Sequence, residues 1–542
     1  MKRAFVFSMP HILYAAFFLC LSGTAAFAGI SESTECPGGD AIIIASIGDA
    51  RNLVPILATD SASGEICSLV FNGLVKYDKD LRVTGDLAQS WEILDEGRVI
   101  VFHLKRGVRW HDGAPFTAGD VEFTFRKLID PLVKTPYSGD FERIQSLEVI
   151  DDYTLKVTYK EPFAPALSSW GMPIMPKHLL EHEDLNTTRF SRNPVGTGPY
   201  KFLRWKTGEK IELVFNQDYF EGRPRIDRSI YRIIPDTSTI FLELQAETVD
   251  MAQLTPLEYS RQTDTPFFKR MYQKFRYPSF GYTYMGYNLA DKRFQDKRVR
   301  QAIDRAIDKN EIINGVLFGL GRPCTGPFPP ESWAHNRDLA VTPYDRRAAV
   351  RLLEEAGWGD SNSDGWLEKD GKKFEFTVIT NQGNLERLRS AEIIQKRLKD
   401  VGIDMKIKVL EWSAFLEFIN RRNFEACLLG WSLSRDPDCF DIWHSSKTRE
   451  GEFNFVGYRN EEVDRLLEEA RRTFDQDKRK ALYNRVHAII YDEQPYLFLY
   501  VPDSLPIVHK RFRGIEVAPI GIGHNFTKWY VPVKEQKYRF TQ

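Results

Sequence analysis

The chain has 542 residues, of which 42% are hydrophobic, 13% aromatic and 27% charged. That length is too great for one small core, so two or three domains are expected, and the composition excludes wholesale disorder. Lys and Arg total 74 against 75 for Asp and Glu, so no whole-chain field selects nucleic acid, an anionic membrane or a polycation, and recognition must be local.

The start of the chain has the pattern of a secretory signal. Lys2 and Arg3 precede an apolar run from Ile12 to Leu21, which ends near Ala26-Phe27-Ala28, and residues 1–28 are expected to be removed on export. Lipid attachment at Cys20 is disfavoured because Leu19 is bulkier than the small residue such a site prefers. No later stretch approaches the ~20 apolar residues that a membrane helix needs. A soluble, periplasmic protein is expected. The remaining cysteines are Cys36, Cys67, Cys324, Cys427 and Cys439. Cys427 and Cys439 lie closest in sequence and could bracket a loop in an oxidising compartment, although spacing does not fix connectivity.

In chain order, Trp91 and Ile93 alternate before Asp95-Glu96-Gly97, and Ile100, Phe102 and Leu104 alternate after it, which predicts a hairpin. Thr117 stands three residues before Asp120 and opens an apolar-periodic run through Val121, Phe125 and Leu128. This is a helix start with a capping box. The turn cluster from Asn193 to Pro199 marks a candidate crossing between domains. Four prolines between Arg322 and Pro330 mark an irregular connection.

Residues 374–431 predict strand, helix, strand. Phe374, Phe376 and Val378 alternate, Leu388, Ala391, Ile394, Leu398 and Val401 follow helical spacing, and Gly402 closes the helix. Ile403, Met405, Ile407 and Val409 then alternate with polar residues, so a parallel pair with a crossover helix follows. Ser413 is expected to cap the next helix. A last apolar run, Ala426 to Leu429, opens through Gly430-Trp431 into Ser432 to Asp438. Ligands of open α/β sheets bind beyond the carboxyl ends of such strands.

Among chemical motifs, His178-Leu179-Leu180-Glu181-His182 matches the inverted zinc-peptidase pattern H-x-x-E-H. On a helix both imidazoles would share one face, with Glu181 placed to polarise a metal-bound water. The charged surroundings favour an exposed helix with solvated histidines. Asp360, Asn362, Asp364 and Gly365 imitate half a calcium loop, but Gly371 stands where a bidentate Glu is required, and a polar turn explains them. Gly196-Thr197-Gly198 lacks the residues of a phosphate-binding loop, and no nucleophile elbow occurs. Neither a catalytic constellation nor a cofactor site emerges, and the basic clusters read as solvated helix faces.

Several ordered motifs together resemble a known family. They are Phe71-Asn72-Gly73-Leu74-Val75, Leu87-Ala88-Gln89-Ser90-Trp91, Trp110-His111-Asp112-Gly113 with Thr117-Ala118-Gly119-Asp120-Val121, Pro194 to Tyr200, Val299-Arg300-Gln301-Ala302-Ile303, Ala356-Gly357-Trp358 and Gly430-Trp431. The chain is similar along nearly its whole mature length to the periplasmic oligopeptide- and dipeptide-binding proteins, the solute-binding subunits of ABC importers (extracytoplasmic family 5).

That resemblance implies an α/β fold of the type II periplasmic-binding-protein class: two lobes joined by two crossover strands, with an inserted domain in the first. By analogy the basal lobe would comprise 29–72, 196–282 and 502–542, the inserted domain 73–195, and the second lobe 283–501. It further implies a monomer that does no chemistry, encloses a peptide and passes it to an inner-membrane permease.

Carried over by local matching, Thr59, Asp60 and Ser61 would line the cleft from the first lobe, facing Gly430, Trp431 and Ser432. Peptide-binding relatives place an Asp where this chain has Ser434. Asp436 could replace it as partner of the ligand ammonium, or serve as an ordinary turn residue, and Arg435 could favour a ligand carboxylate. The departure at Ser434 keeps a non-peptide solute open, such as an oligosaccharide or chelated metal. A zinc peptidase using His178, Glu181 and His182 is the alternative from another class.

Overall fold

The hairpin expected around Trp91 forms between strands Ala88–Leu94 and Val99–Leu104 in the computed structural model, which describes residues 38–540. The predicted leader, with Cys20, and Cys36 therefore lie outside the described residues. Strands Thr154–Tyr159 and Ile144–Asp151 complete a four-stranded antiparallel sheet. Its inward face buries Ile100, Phe102, Leu104, Leu155 and Val157, as an alternating pattern requires. Helix Ala118–Leu128 packs beside it and begins with the expected capping box of Thr117 and Asp120.

Two larger sheets carry the architecture. The first has seven strands and pairs Ala41–Ser46 in parallel with Arg228–Ile233, flanked by Lys210–Phe215 and Tyr200–Lys206 on one side and Met251–Gln253, Pro506–His509 and Tyr272–Lys274 on the other. One contiguous apolar core joins this sheet to the four-stranded sheet through residues such as Ile42, Leu74, Phe102, Trp170 and Leu213. The turn cluster at 193–199 returns the chain to the first sheet just before Tyr200. Gly198 donates its N–H to the Val70 carbonyl at 2.9 Å, and a Cβ at Gly196 or Gly198 would collide with the backbone at Leu69 and Val70. Glycine is needed there for close approach rather than for a left-handed turn.

A second sheet has Glu375–Asn381 and Asp404–Leu410 in parallel register, joined by helix Leu385–Lys399. Gly402, at φ +81°, ends that connection as expected. Strands Ala426–Ser432, Gly281–Tyr287 and Tyr496–Ser504 continue the sheet, and separate apolar cores cover its two faces. The capping residue of the next helix, Trp412–Asn420, is Glu411 rather than Ser413: its carboxylate accepts the N–H groups of Ser413 and Ala414. A longer acceptor two positions earlier starts the helix ahead of the hydroxyl.

The chain passes between the two seven-stranded sheets twice, at 275–276 and at Leu505. The crossing segments are hydrogen-bonded to each other, with Tyr277 opposite Ser504. This is a two-lobed α/β fold with paired crossover strands. No helix among the described residues is long and apolar enough to cross a membrane. Cys67, Cys324, Cys427 and Cys439 are all free and buried, so the suggested Cys427–Cys439 bridge does not form. Cys427 lies inside a central strand and Cys439 beyond the loop that leaves it.

Candidate ligand cleft

Asp60 is the N-cap of helix Ser61–Val70, and its carboxylate accepts both the Ser63 N–H at 2.9 Å and the Ser63 hydroxyl at 2.6 Å. Such a role fixes the helix start and leaves little capacity for a ligand. Thr59 and Ser61, on either side, are exposed. From the second sheet, Gly430 and Trp431 are half-buried and Ser432 is exposed at the end of strand Ala426–Ser432. The sheet thus presents backbone groups at its carboxyl edge.

A run of aromatic contacts connects these two groups. The Tyr137 hydroxyl donates to the Ala58 carbonyl at 2.8 Å, and the Tyr137 ring meets Phe453 edge-on at 5.5 Å. Phe453 in turn meets the Trp431 ring edge-on at 5.3 Å. Trp431 lies parallel to Tyr284 at 6.3 Å and donates from Nε1 to the Tyr496 hydroxyl at 3.4 Å. Its half-buried indole is therefore a fixed wall, with the polar edge satisfied.

A second link between the lobes is ionic. The Arg471 guanidinium, 1% exposed, donates to Asp140 at 2.7 Å and to Asp438 at 2.7 Å. It lies 3.8 Å from the centroid of the Phe440 ring. Burial and the nearby Asp438 and Asp441 raise the pKa of Asp140, although Arg471 opposes this. Arg472 adds an ion pair to Glu161 at 2.6 Å. The lobes are closed on each other.

Beyond Ser432 the expected roles change. Of the two roles open to Asp436, the geometry matches the turn: its carboxylate accepts the Asp438 N–H at 2.9 Å and is held by both terminal nitrogens of Arg479, at 2.9 and 2.7 Å, which already neutralise it. Ser434 donates its hydroxyl to the Asp436 carbonyl at 2.6 Å, which makes the segment a self-bonded turn. Arg435, assigned to a ligand carboxylate, instead lies 4.3 Å from the centroid of Phe280 and points to the Ile520 carbonyl.

Two charged residues that the sequence did not single out lie beside the predicted cleft segments, Arg387 next to Gly430 and Glu65 near Asp60. Arg387, on the helix that follows strand Glu375–Asn381, donates to the Asn381 side-chain carbonyl at 2.8 Å rather than to a carboxylate. It is packed against Gly430, where a Cβ would come within 2.9 Å of its Nη2. Burial lowers its pKa, so its charge is held at a cost and favours a counter-ion. Glu65, on helix Ser61–Val70, keeps solvent contact yet is surrounded by protein. Burial, with the nearby Asp60 charge, pushes its pKa up to about 7.

The inverted zinc-peptidase motif does not form the helix its chemistry needs. Its helix is the single turn Lys177–Leu180, His182 lies beyond it, and His178 bonds through Nε2 to Asp112 at 2.7 Å. At Asp360 to Gly365 the carboxylate of Asp360 accepts backbone N–H groups of Asp364 and Gly365, as a polar turn should.

Comparison with known proteins identifies the family and the fold. Residues 82–452 match the model of "Bacterial extracellular solute-binding proteins, family 5 Middle". The oligopeptide-binding protein AppA of Bacillus subtilis is 36% identical over 98% of this chain and 99% of its own. The structure of AppA in complex with a nonapeptide superposes with a TM-score of 0.88 at 34% identity, covering 92% of this chain and 100% of that one. NikZ of Campylobacter jejuni in complex with Ni(L-His) gives 0.83 at 30% identity, covering 91% and 99%. With its two sheets, paired crossings and closed cleft, the chain belongs to family 5 of the bacterial extracellular solute-binding proteins.

Proposed function

We propose that the protein captures peptides between its two lobes outside the cytoplasm and delivers them, chemically unchanged, to the membrane permease of an ABC importer. The basal lobe is assigned to 29–72, 196–282 and 502–542, the inserted domain to 73–195 and the second lobe to 283–501. The observation that carries the reading is the chain of contacts from Ala58 through Tyr137 and Phe453 to Trp431, which brings the two predicted cleft segments to one place. Exposed backbone at Thr59, Ser61 and Ser432 is suited to main-chain hydrogen bonds, which give affinity without demanding particular side chains. Native mass spectrometry of protein purified from its own compartment tests this. A heterogeneous ladder of peptide masses is expected. A single non-peptide mass would transfer the assignment to another solute, and zinc-dependent peptide cleavage would replace binding with catalysis.

Arg387 is the proposed partner of a ligand carboxylate. Arg387→Gln should weaken binding of a free-acid peptide by about 2–5 kcal/mol, the range for breaking a desolvated charge pair, and leave a carboxy-terminally amidated peptide unaffected. Calorimetry on both peptides reads the difference, and equal losses would remove the assignment.

Glu65 is the proposed partner of a ligand cation. A cation beside it favours the ionised form, so the carboxyl that holds its proton up to about 7 should release it on binding. Binding heat measured near neutrality should depend on the ionisation enthalpy of the buffer, and Glu65→Gln should abolish that dependence. A buffer-independent heat in the parent protein counts against this role.

A further inference from the structure

Beyond the cleft, a cavity of about 470 Å³ lies between the four-stranded sheet of the first lobe and the second lobe. Val83, Ile93 and Leu167 line it from one side, Trp333 and Phe474 from the other, and Phe280 stands just after the crossing strand Tyr277–Pro278. Its walls come from both lobes, so it is complete only when they are closed. Ile93 and Phe474 remain 49% and 47% exposed, which is apolar surface that folding alone does not account for.

The cavity begins where the cleft segment ends. Arg435 and Asp436, the two residues after Ser434, form part of its wall, and Leu433 donates its N–H to the Phe280 carbonyl at 2.9 Å. A ligand running along the edge at Gly430 to Ser432 and continuing in the same direction meets this space next. The two carboxylates at its rim are paired. Asp436 is paired with Arg479, Glu331 with Arg322, and Arg435 lies on Phe280. With both carboxylates paired and the Arg435 guanidinium turned onto an aromatic face, the largely apolar lining favours apolar surface.

We propose that this cavity is an accessory pocket that receives an apolar side chain from the part of a bound peptide that extends past Ser434. The inference rests on the peptide-binding reading above and adds a selectivity to it: ligands long enough to reach the pocket are favoured when the residue placed there is large and uncharged. The same contact ties ligand length to lobe closure, because the side chain touches both lobes at once.

The test compares a short peptide that binds the parent protein with versions of it extended at each end by two residues, finishing in Phe, Gly or Asp. Val83→Trp fills the pocket and Ile93→Asp places a charge in it; both positions are part-exposed, and melting curves check that each variant folds. In the parent, the Phe extension at one end should bind at least tenfold more tightly than the Gly or Asp extension. Each variant should lose that gain and bind the short peptide as the parent does. Equal affinity for all extensions at both ends in the parent, or a gain that survives in both variants, overturns the pocket while leaving peptide capture intact. Failure of the parent to bind peptides of any length overturns both.

Discussion

Replacing Arg471 with Met should cost at least about a hundredfold in ligand affinity, corresponding to the lower part of the ~3–5 kcal/mol lost when one member of a buried ion pair is removed. The side chain is buried between Asp140 of the four-stranded sheet's domain and Asp438 beside the cleft loop. Without its charge, Asp140, Asp438 and Asp441 repel one another across the closing surface. Solution scattering should show less compaction with ligand, and calorimetry the loss of affinity. An Arg471→Met protein that binds and compacts like the parent would show that the ion pair is incidental to closure.

The same cluster sets a direction with pH. In the closed form burial, together with Asp438 and Asp441, raises the pKa of Asp140 despite Arg471. Opening returns Asp140 to water and to the ordinary carboxylate range. The closed form therefore holds a proton more tightly than the open form, and closure should strengthen as pH falls from neutrality toward that range. Asp140→Asn should flatten this dependence. A ligand affinity that falls on mild acidification in the parent, with no change of slope in the variant, would contradict it.

Replacing Arg511 with Met should destabilise the first lobe by about 3–5 kcal/mol, again because a buried pair would lose one partner. Arg511 is 2% exposed and is shared by Asp40 and Asp250, which are 0% and 3% exposed. Its bonds to Asp250 measure 3.0 and 2.7 Å, and it also donates to the Ala41 carbonyl at 2.8 Å. Asp40 further accepts N–H groups of Ala41, Lys537 and Tyr538. One guanidinium thus ties the start of the sheet to its centre and to the C-terminal segment. Because two lobes need not unfold together, the effect is best read by amide hydrogen exchange in strand Ala41–Ser46, which should accelerate strongly while Asp404–Leu410 is unchanged. Uniform exchange rates in parent and variant would refute it.

What could be read from the sequence was local. The hairpin around Trp91, the capping box at Thr117 and the strand, helix, strand unit from Glu375 to Leu410 each follow from periodicity and turn residues within a few tens of positions. The two-lobed plan came from family resemblance, since no periodicity reveals that Tyr277 pairs with Ser504. The site was only partly legible for the same reason. Asp436 looked available until Arg479, 43 residues on, was seen to hold it. Arg387 and Glu65 sit on helices, where an isolated charge ordinarily points to water. The partnership of Arg471 with Asp140 spans 331 positions. Ser413 lost the capping position because the helix begins earlier, at Trp412, with Glu411 accepting the N–H of Ser413 itself, and sequence does not rank such neighbours.

The four described sulfhydryls have a practical consequence. Each is buried, and burial holds Cys324 and Cys427 up at about 12, so essentially no thiolate, the reactive species, is present while the chain is folded. An alkylating dye would consequently leave these four sulfhydryls alone in the native molecule and mark them in molecules that have come apart. Cys67 reports from the first lobe and the other three from the second, so the order in which they are labelled would time the melting of each half without any engineered probe.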